Sequence, residues 1–275
     1  MKALSPNAFR KIQEWLYQTA GILINAQKAS MVVSRLWRRV EDLGLTDFDA
    51  YLAYVFSVGG EAERAEMLDR LTTNETYFFR EPAHFARLKN QILPGLKGRS
   101  VKVWCAAAST GEEPYSLAMV LADQLGLDGW QLVGSDICGR ALQQASTGLY
   151  RLERMDLLPV DYLKRYCRRG TGDYQGMMMI DRELRERVRF ERHNLLQAWP
   201  EPGGFDVIFL RNVLIYFDQP TRQRVIDNLC KALRPGGWLI TGHCESLAGI
   251  NMPLQQLAPS IYREPSQTLS RSLPA

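Results

Sequence analysis

Val101-Lys102-Val103-Trp104-Cys105-Ala106-Ala107-Ala108-Ser109-Thr110-Gly111-Glu112-Glu113-Pro114 is the stretch on which the reading of this chain turns. An apolar run from Val101 to Ala107 reads as a strand, small residues follow, and a helical stretch from Pro114 to Leu125 completes a strand–turn–helix unit. Small residues let the backbone approach a ligand closely, and Pro114 is suited to the opening of a helix. The turn is not G-x-G-x-x-G and has no P-loop lysine, so neither a pyrophosphate nor a triphosphate is its natural guest. Glu112 and Glu113 agree with this, since carboxylates at the mouth repel phosphate but can hold a cationic or hydrogen-bond-donating ligand.

Working outward, the same rhythm repeats. Apolar runs at Gln131 to Gly134, Val188 to Phe190, Phe205 to Leu210 and Gly237 to Thr241 alternate with helical stretches such as Gln219 to Leu233. Strands alternating with helices predict a parallel sheet with right-handed crossovers, and Ser260-Ile261-Tyr262-Arg263 predicts an added edge strand. Tyr150 to Arg187 breaks the rhythm. Its Arg168-Arg169-Gly170-Thr171-Gly172 turn and Met177-Met178-Met179-Ile180 run predict a small antiparallel β insertion over 150–187. The tail over 265–275, rich in Ser, Gln and Pro, reads as disordered.

Before residue 73 there is no β-type alternation, only helical periodicity. Ser5-Pro6 reads as an N-cap and first helical residue, Asn25 as the cap of a helix stopped by Gly44, Thr46 with Asp49 as a capping box, and Gly59-Gly60 as the break before Glu61 to Leu71. The expected division is thus a small helical domain over 1–72 and an α/β domain over 73–264. Charge in the first part is polarised: residues 1–40 hold seven basic residues against one acid, and residues 41–72 hold two against eight acids. On a helix from about Asn25, Val32, Leu36, Val40 and Leu43 form the apolar stripe, while Lys28, Arg35 and Arg39, with Arg38 beside them, form a basic face suited to docking an acidic partner.

Composition excludes several classes. With 46% hydrophobic and 23% charged residues, the 275-residue chain is an ordinary globular protein of one or two domains. Its five cysteines are odd in number and never in a C-x-x-C pair, which argues for a reducing cytoplasm and against a zinc site or a disulfide framework. His84, His193 and His243 show no ligand spacing, and no metal is expected. No run approaches the ~18 apolar residues of a membrane span, so direct membrane insertion is not expected, and a net charge of +4 is too small to argue for nucleic acid.

Four polar clusters fall at strand ends: the Ser109–Glu113 turn, Gly134-Ser135-Asp136, His193-Asn194-Leu195-Leu196, and Arg211-Asn212-Val213-Leu214-Ile215-Tyr216-Phe217-Asp218. Ligands of open α/β sheets bind outside the carboxyl ends of the strands, where an acid after the second strand suits ribose hydroxyls. Convergence of the four implies a nucleoside without phosphates that bears a charged tail, for which S-adenosylmethionine is the obvious candidate.

The strings Leu71 to Glu81 (LTTNETYFFRE), Ala106 to Ser116 (AAASTGEEPYS), Arg211 to Phe217 (RNVLIYF) and Leu233 to Gly237 (LRPGG) closely resemble the chemotaxis receptor glutamate methyltransferases, the CheR family. The resemblance runs from near Ser5 to about Arg263. It implies a helical amino-terminal domain, a class I (Rossmann-like) methyltransferase domain with a small β insertion, S-adenosylmethionine as cofactor with S-adenosylhomocysteine as product, and O-methylation of glutamates on chemoreceptor cytoplasmic helices by a cytoplasmic monomer. Carried over residue by residue, Asn74, Thr76, Arg80, Glu113, Asp136, Asn194, Leu195, Arg211 and Asn212 resemble the cofactor shell, and Arg80 with Tyr216 the pair nearest the transferred methyl. The loop Arg168, Arg169, Gly170, Thr171 and Gly172 resembles that of members binding a peptide at a receptor's carboxyl terminus. Two rival readings stand beside this one: a methyltransferase acting on another protein or a small-molecule carboxylate, and a non-catalytic receptor-docking module.

Overall fold

The computed structural model describes residues 4–265; the tail expected to be disordered lies outside them from residue 266 onward. Four helices come first: α1 (Pro6–Ala20), α2 (Ala29–Asp42), α3 (Phe48–Val55) and α4 (Glu61–Leu71). Ser5 caps α1 as expected, its hydroxyl accepting from the Ala8 N–H at 3.0 Å. The other two cap expectations are corrected. Asn25 precedes a short 3-10 turn without a side-chain capping bond, and α3 is capped by Asp47, which accepts from the Ala50 N–H at 2.8 Å while Thr46 only donates to Asp47. A carboxylate already adjacent to the first helical residue wins over a hydroxyl one position earlier. Leu16, Leu36, Tyr51 and Met67 are fully buried where the four helices meet.

The second region is built on a seven-stranded sheet. Its strands are β1 (Val101–Cys105), β2 (Trp130–Asp136), β6 (Val188–Arg192), β7 (Phe205–Leu210), β8 (Leu233–Thr241), β9 (Gln255–Ala258) and β10 (Ile261–Arg263), in the order β6-β2-β1-β7-β8-β10-β9. The first five are parallel, and β10 and β9 are antiparallel additions. The strand expected at Ser260–Arg263 forms, but β9 lies outside it and is the edge. Gln255 to Leu257 are exposed, so β9 lacks the apolar run that marks an interior strand.

Around this sheet lie α5 (Pro82–Arg87), α6 (Glu112–Leu125), α7 (Gly139–Thr147) and α10 (Gln219–Ala232). Pro114 falls at the third residue of α6 rather than the first, a place where its missing N–H still costs no helical bond. The insertion contains three strands, β3 (Leu149–Arg151), β4 (Cys167–Arg169) and β5 (Met177–Ile180), in the order β3-β5-β4, all antiparallel, with the short helices α8 (Val160–Tyr166) and α9 (Arg182–Arg185) between and after them.

The two regions are tied by specific bonds. The Asp69 carboxylate of α4 accepts from the Gly139 and Arg140 N–H groups at 3.0 and 2.8 Å, supplying from another domain the cap that α7 lacks locally. Tyr17 donates to Asp218 at 2.9 Å and the Leu23 N–H to the Tyr216 carbonyl at 3.0 Å. These bonds hold the α1–α2 connection over the carboxyl ends of the strands.

Candidate active site

A cleft containing about 980 Å³ of space open to solvent lies at those strand ends. Thr72 to Thr76, Arg80, Ala107, Ser109, Glu113, Asp136, Ile137, Arg211 to Val213 and Tyr216 line it, and Ile22, Leu23, Ile24, Lys28 and Met31 from the helical domain close one side. The strand β1 stops at Cys105, and the small residues behind it bend so tightly that Ser109 (φ 49°) and Gly111 (φ 99°) adopt left-handed backbone. That bend turns the Ser109 N–H toward Asp136 Oδ2 at 2.8 Å, and the Cys138 N–H donates to Oδ1 at 2.9 Å. Burial nevertheless raises the Asp136 pKa above the ordinary carboxylate value.

Glu113 sits in the first turn of α6. Its Oε2 accepts from Arg211 Nη1 at 2.6 Å and its Oε1 from the Cys105 thiol at 3.2 Å. Burial, and then the Glu113 charge, push the Cys105 thiol well above its usual range, so Cys105 acts here as a neutral donor. Arg211 is fully buried and over-committed on one side: Nη2 donates to the Arg80 carbonyl at 2.6 Å and lies 3.1 Å from Glu81 Oε2. Its Nε has no protein partner. A buried guanidinium N–H without an acceptor is uncommon, and a carboxylate bound in the cleft that Arg211 lines has the chemistry to supply one.

The structure brings most of the expected residues together. Arg80 lines the cleft with its guanidinium donating to the Glu75 carbonyl at 3.1 Å and lying 5.4 Å from the Tyr77 ring centre. Tyr216 and Thr76 line the same cleft. Asn74 donates to Cys138 Sγ at 3.2 Å, and its carbonyl accepts from the Ser109 hydroxyl at 3.0 Å. Asn194 and Leu195 line a smaller adjoining cavity instead, one that shares Ile22, Ala107, Asp136, Ile137 and Val213 with the cleft. Asn194 also joins the domains, donating to the Thr19 carbonyl at 2.7 Å.

Asn212 is held in left-handed backbone (φ 59°) by a residue that sequence reasoning missed. Buried Glu245 accepts from the N–H groups of Asn212, Val213, Leu214 and Gly242, each at 2.7 Å. A Cβ on Gly242 would lie 2.7 Å from Glu245 Oε2 and 3.2 Å from the Asn212 nitrogen, so the approach requires glycine. The one available signal was an acid just beyond a strand's carboxyl end. Glu81, also missed, has φ 56°, donates nothing and accepts from Asn212 Nδ2 at 3.3 Å and the His243 N–H at 3.1 Å. Burial alone would raise its pKa, but Arg211 beside it holds it below the usual range.

The basic face of α2 requires correction. Arg39 makes a bidentate pair with Glu63, with bonds of 2.6 to 3.0 Å, and Arg35 donates to the carbonyls of Leu71 and Thr72 at 2.8 and 3.0 Å and to the Thr73 hydroxyl at 3.0 Å. Glu63 is buried, so Arg39 is the counter-ion of an interior acid. The positive and negative halves of the helical region thus face each other, and Arg35 and Arg39 are internal ties. Lys28 is exposed on the cleft rim, and Arg38 is exposed as well.

In the insertion, β4 has β5 on one side only, and Arg168, on its outer part, is 2.6 Å from Asp181. Arg169, Thr171 and Gly172 are exposed, and Gly170 packs where a Cβ would lie 2.1 Å from the Tyr174 carbonyl oxygen. The histidines also differ from expectation. His193 packs against Trp104 and Trp199, but His84 and His243 come together beside Glu81 although 159 positions separate them in sequence.

Comparison with known proteins agrees with this architecture. Residues 7–72 match the family model described as the CheR methyltransferase all-alpha domain, and residues 74–262 match the CheR methyltransferase SAM binding domain. The chain is 43% identical over 264 residues to a chemotaxis protein methyltransferase of Klebsiella aerogenes, covering 94% of this chain and 90% of that one. It is 42% identical to the chemotaxis protein methyltransferase of Escherichia coli, covering 94% and 91%, and 39% identical to chemotaxis protein methyltransferase 2 of Pseudomonas aeruginosa, covering 92% and 91%. With both family domains matched in succession over nearly the whole chain and relatives this similar along their length, the chain belongs to the CheR methyltransferase family.

Proposed function

We propose that this chain transfers a methyl group from S-adenosylmethionine to glutamate side chains on the cytoplasmic helices of chemoreceptors, forming methyl esters. The observation that carries the reading is the buried Glu113–Arg211 pair opening onto the cleft, with the Arg211 Nε unpartnered and Asp136 at the neighbouring strand end. This donor set fits the cofactor: Arg211 and Glu113 suit the carboxylate and ammonium of its amino-acid tail, Asp136 its ribose hydroxyls, and the cavity at Asn194 and Leu195 its adenine. Asn74, Thr76 and Asn212 complete the wall. When bound, S-adenosylmethionine supplies an electrophilic sulfonium methyl.

The residues of the chain have a modest task. A substrate glutamate is ionised at neutral pH, with a reference pKa of about 4.3, so no general base is needed. Arg80 and Tyr216 at the open side of the cleft orient the attacking carboxylate, and the helical domain overhead excludes water. The receptor helix docks against the rim, with Lys28 and Arg38 as the remaining basic contacts. The open edge of β4 accepts an extended receptor carboxyl-terminal peptide by strand addition, with Arg168 and Arg169 favouring acidic groups. In this reading the enzyme acts as a cytoplasmic monomer. No helix among the described residues is long and apolar enough to cross a membrane. The test is transfer of labelled methyl from S-adenosylmethionine to receptor cytoplasmic fragments, with the ester mapped to glutamates. Cofactor binding without label transfer to any receptor fragment would contradict the substrate assignment.

A further inference from the structure

We propose that Glu81, His84 and His243 form a binding site for one divalent transition-metal ion of the zinc class, beside the cleft. Three donors arrive there from two separate parts of the chain: Glu81 and His84 around the start of α5, and His243 from the loop after β8. One ligand atom from each lies within 4.8 Å of the others. His84 Nδ1 is 3.3 Å from Glu81 Oε2, and His243 Nδ1 is 3.9 Å from the same oxygen. A tetrahedral ion with bonds of 2.0 to 2.1 Å requires ligand atoms about 3.3 Å apart, so Glu81 and His84 already stand at that separation, and the longer distances, up to 4.8 Å, must shorten around the ion.

A second observation points the same way. His84 is 2% exposed, yet neither of its ring nitrogens makes a hydrogen bond. Buried imidazoles normally satisfy at least one nitrogen, and an ion shared with Glu81 would do so. Glu81 is held in left-handed backbone that a non-glycine residue adopts only at a cost, and its carboxylate lies beside both histidines, accepting from the His243 N–H at 3.1 Å. His243 is half exposed, which gives an ion a route inward and leaves a coordination position for water.

The charge count permits the ion. Glu81 and Glu113 carry two negative charges around the single positive charge of Arg211. When Glu81 Oε2 turns to a cation, Arg211 keeps Glu113 and the Arg80 carbonyl, each at 2.6 Å. Two imidazoles with one carboxylate select zinc, cobalt, nickel or copper over magnesium or calcium. Because Glu81 and Glu113 share Arg211, occupancy of this site and of the cleft affect each other reciprocally. That consequence alone rests on the proposed cofactor reading.

The test is titration of the full chain with cobalt(II), without cofactor, followed by visible d–d absorption. A saturable band that zinc abolishes and magnesium does not is expected. His243→Ala, at a half-exposed position that leaves the fold intact, and His84→Asn should each weaken cobalt binding about tenfold or more, whereas Cys244→Ser, the exposed neighbouring thiol, should leave it unchanged. No band at millimolar cobalt, equal affinity in His243→Ala, or loss of the band in Cys244→Ser would overturn the site.

Discussion

Four arginines, two on α2 and two at the cleft, carry the same charge and do opposite things. On α2, Arg35 and Arg39 spend their N–H groups on acceptors inside the molecule, the Leu71 and Thr72 carbonyls and the Glu63 carboxylate. At the cleft, Arg211 is clamped on one side by Glu113 and Glu81 and leaves Nε open, while Arg80 lines open space with a single backbone contact. What separates them is not the presence of an acid, since Arg211 has two beside it and Arg35 bonds only to carbonyls and a hydroxyl, but whether the guanidinium lies among the helices' own acceptors or on the wall of the cleft. A basic run in sequence cannot be read as a docking face until the acids of neighbouring helices have been placed.

The largest effect that would sharpen this contrast is on stability. Arg39→Glu sets a second carboxylate against buried Glu63, and unfolding by urea should show a loss of about 3 kcal/mol, whereas Arg38→Glu, one residue away, should cost no more than about 0.5 kcal/mol. Equal stabilities of the two variants would return Arg39 to the surface. Next, Tyr216→Phe should lower turnover roughly tenfold or more, matching the loss of a hydrogen bond to a charged acceptor, with affinity for S-adenosylhomocysteine nearly intact. Wild-type turnover at saturating cofactor and receptor removes Tyr216 from the chemistry. The smallest effect is on docking: Lys28→Glu with Arg38→Glu should raise the receptor KM a few-fold at low ionic strength, with the difference fading as salt is added. A KM that does not change with salt or with charge reversal leaves docking to other residues.

The comparison also explains what was legible in the sequence. The alternation of apolar runs with helical stretches, and the clusters at strand ends, lie in local windows, so the sheet from β1 to β8 and the positions of Glu113, Asp136 and Arg211 could be read directly. Pairing across the chain could not. Glu63 finds Arg39 from 24 positions away, Asp69 caps α7 from 70, and Glu245 gathers the N–H groups of Asn212 to Leu214 from more than 30. His84 and His243 have no spacing that a motif could capture, because the loop after β8 and the start of α5 meet only once the sheet has formed. The edge strand β9 escaped for a different reason: it opens with Gln255 and Gln256, and Leu257 and Ala258 alone make no apolar run.

The account stands on the cleft being the S-adenosylmethionine site, and calorimetric titration of S-adenosylhomocysteine into the wild type and Asp136→Asn tests it most directly. Asparagine retains one oxygen for the Ser109 or Cys138 N–H while removing the charged acceptor, so the fold persists and the ribose contact is weakened. The account predicts one site per chain in the wild type and affinity lower by roughly ten- to a hundredfold in the variant. Absence of binding in the wild type, or the same affinity in both proteins, would contradict it.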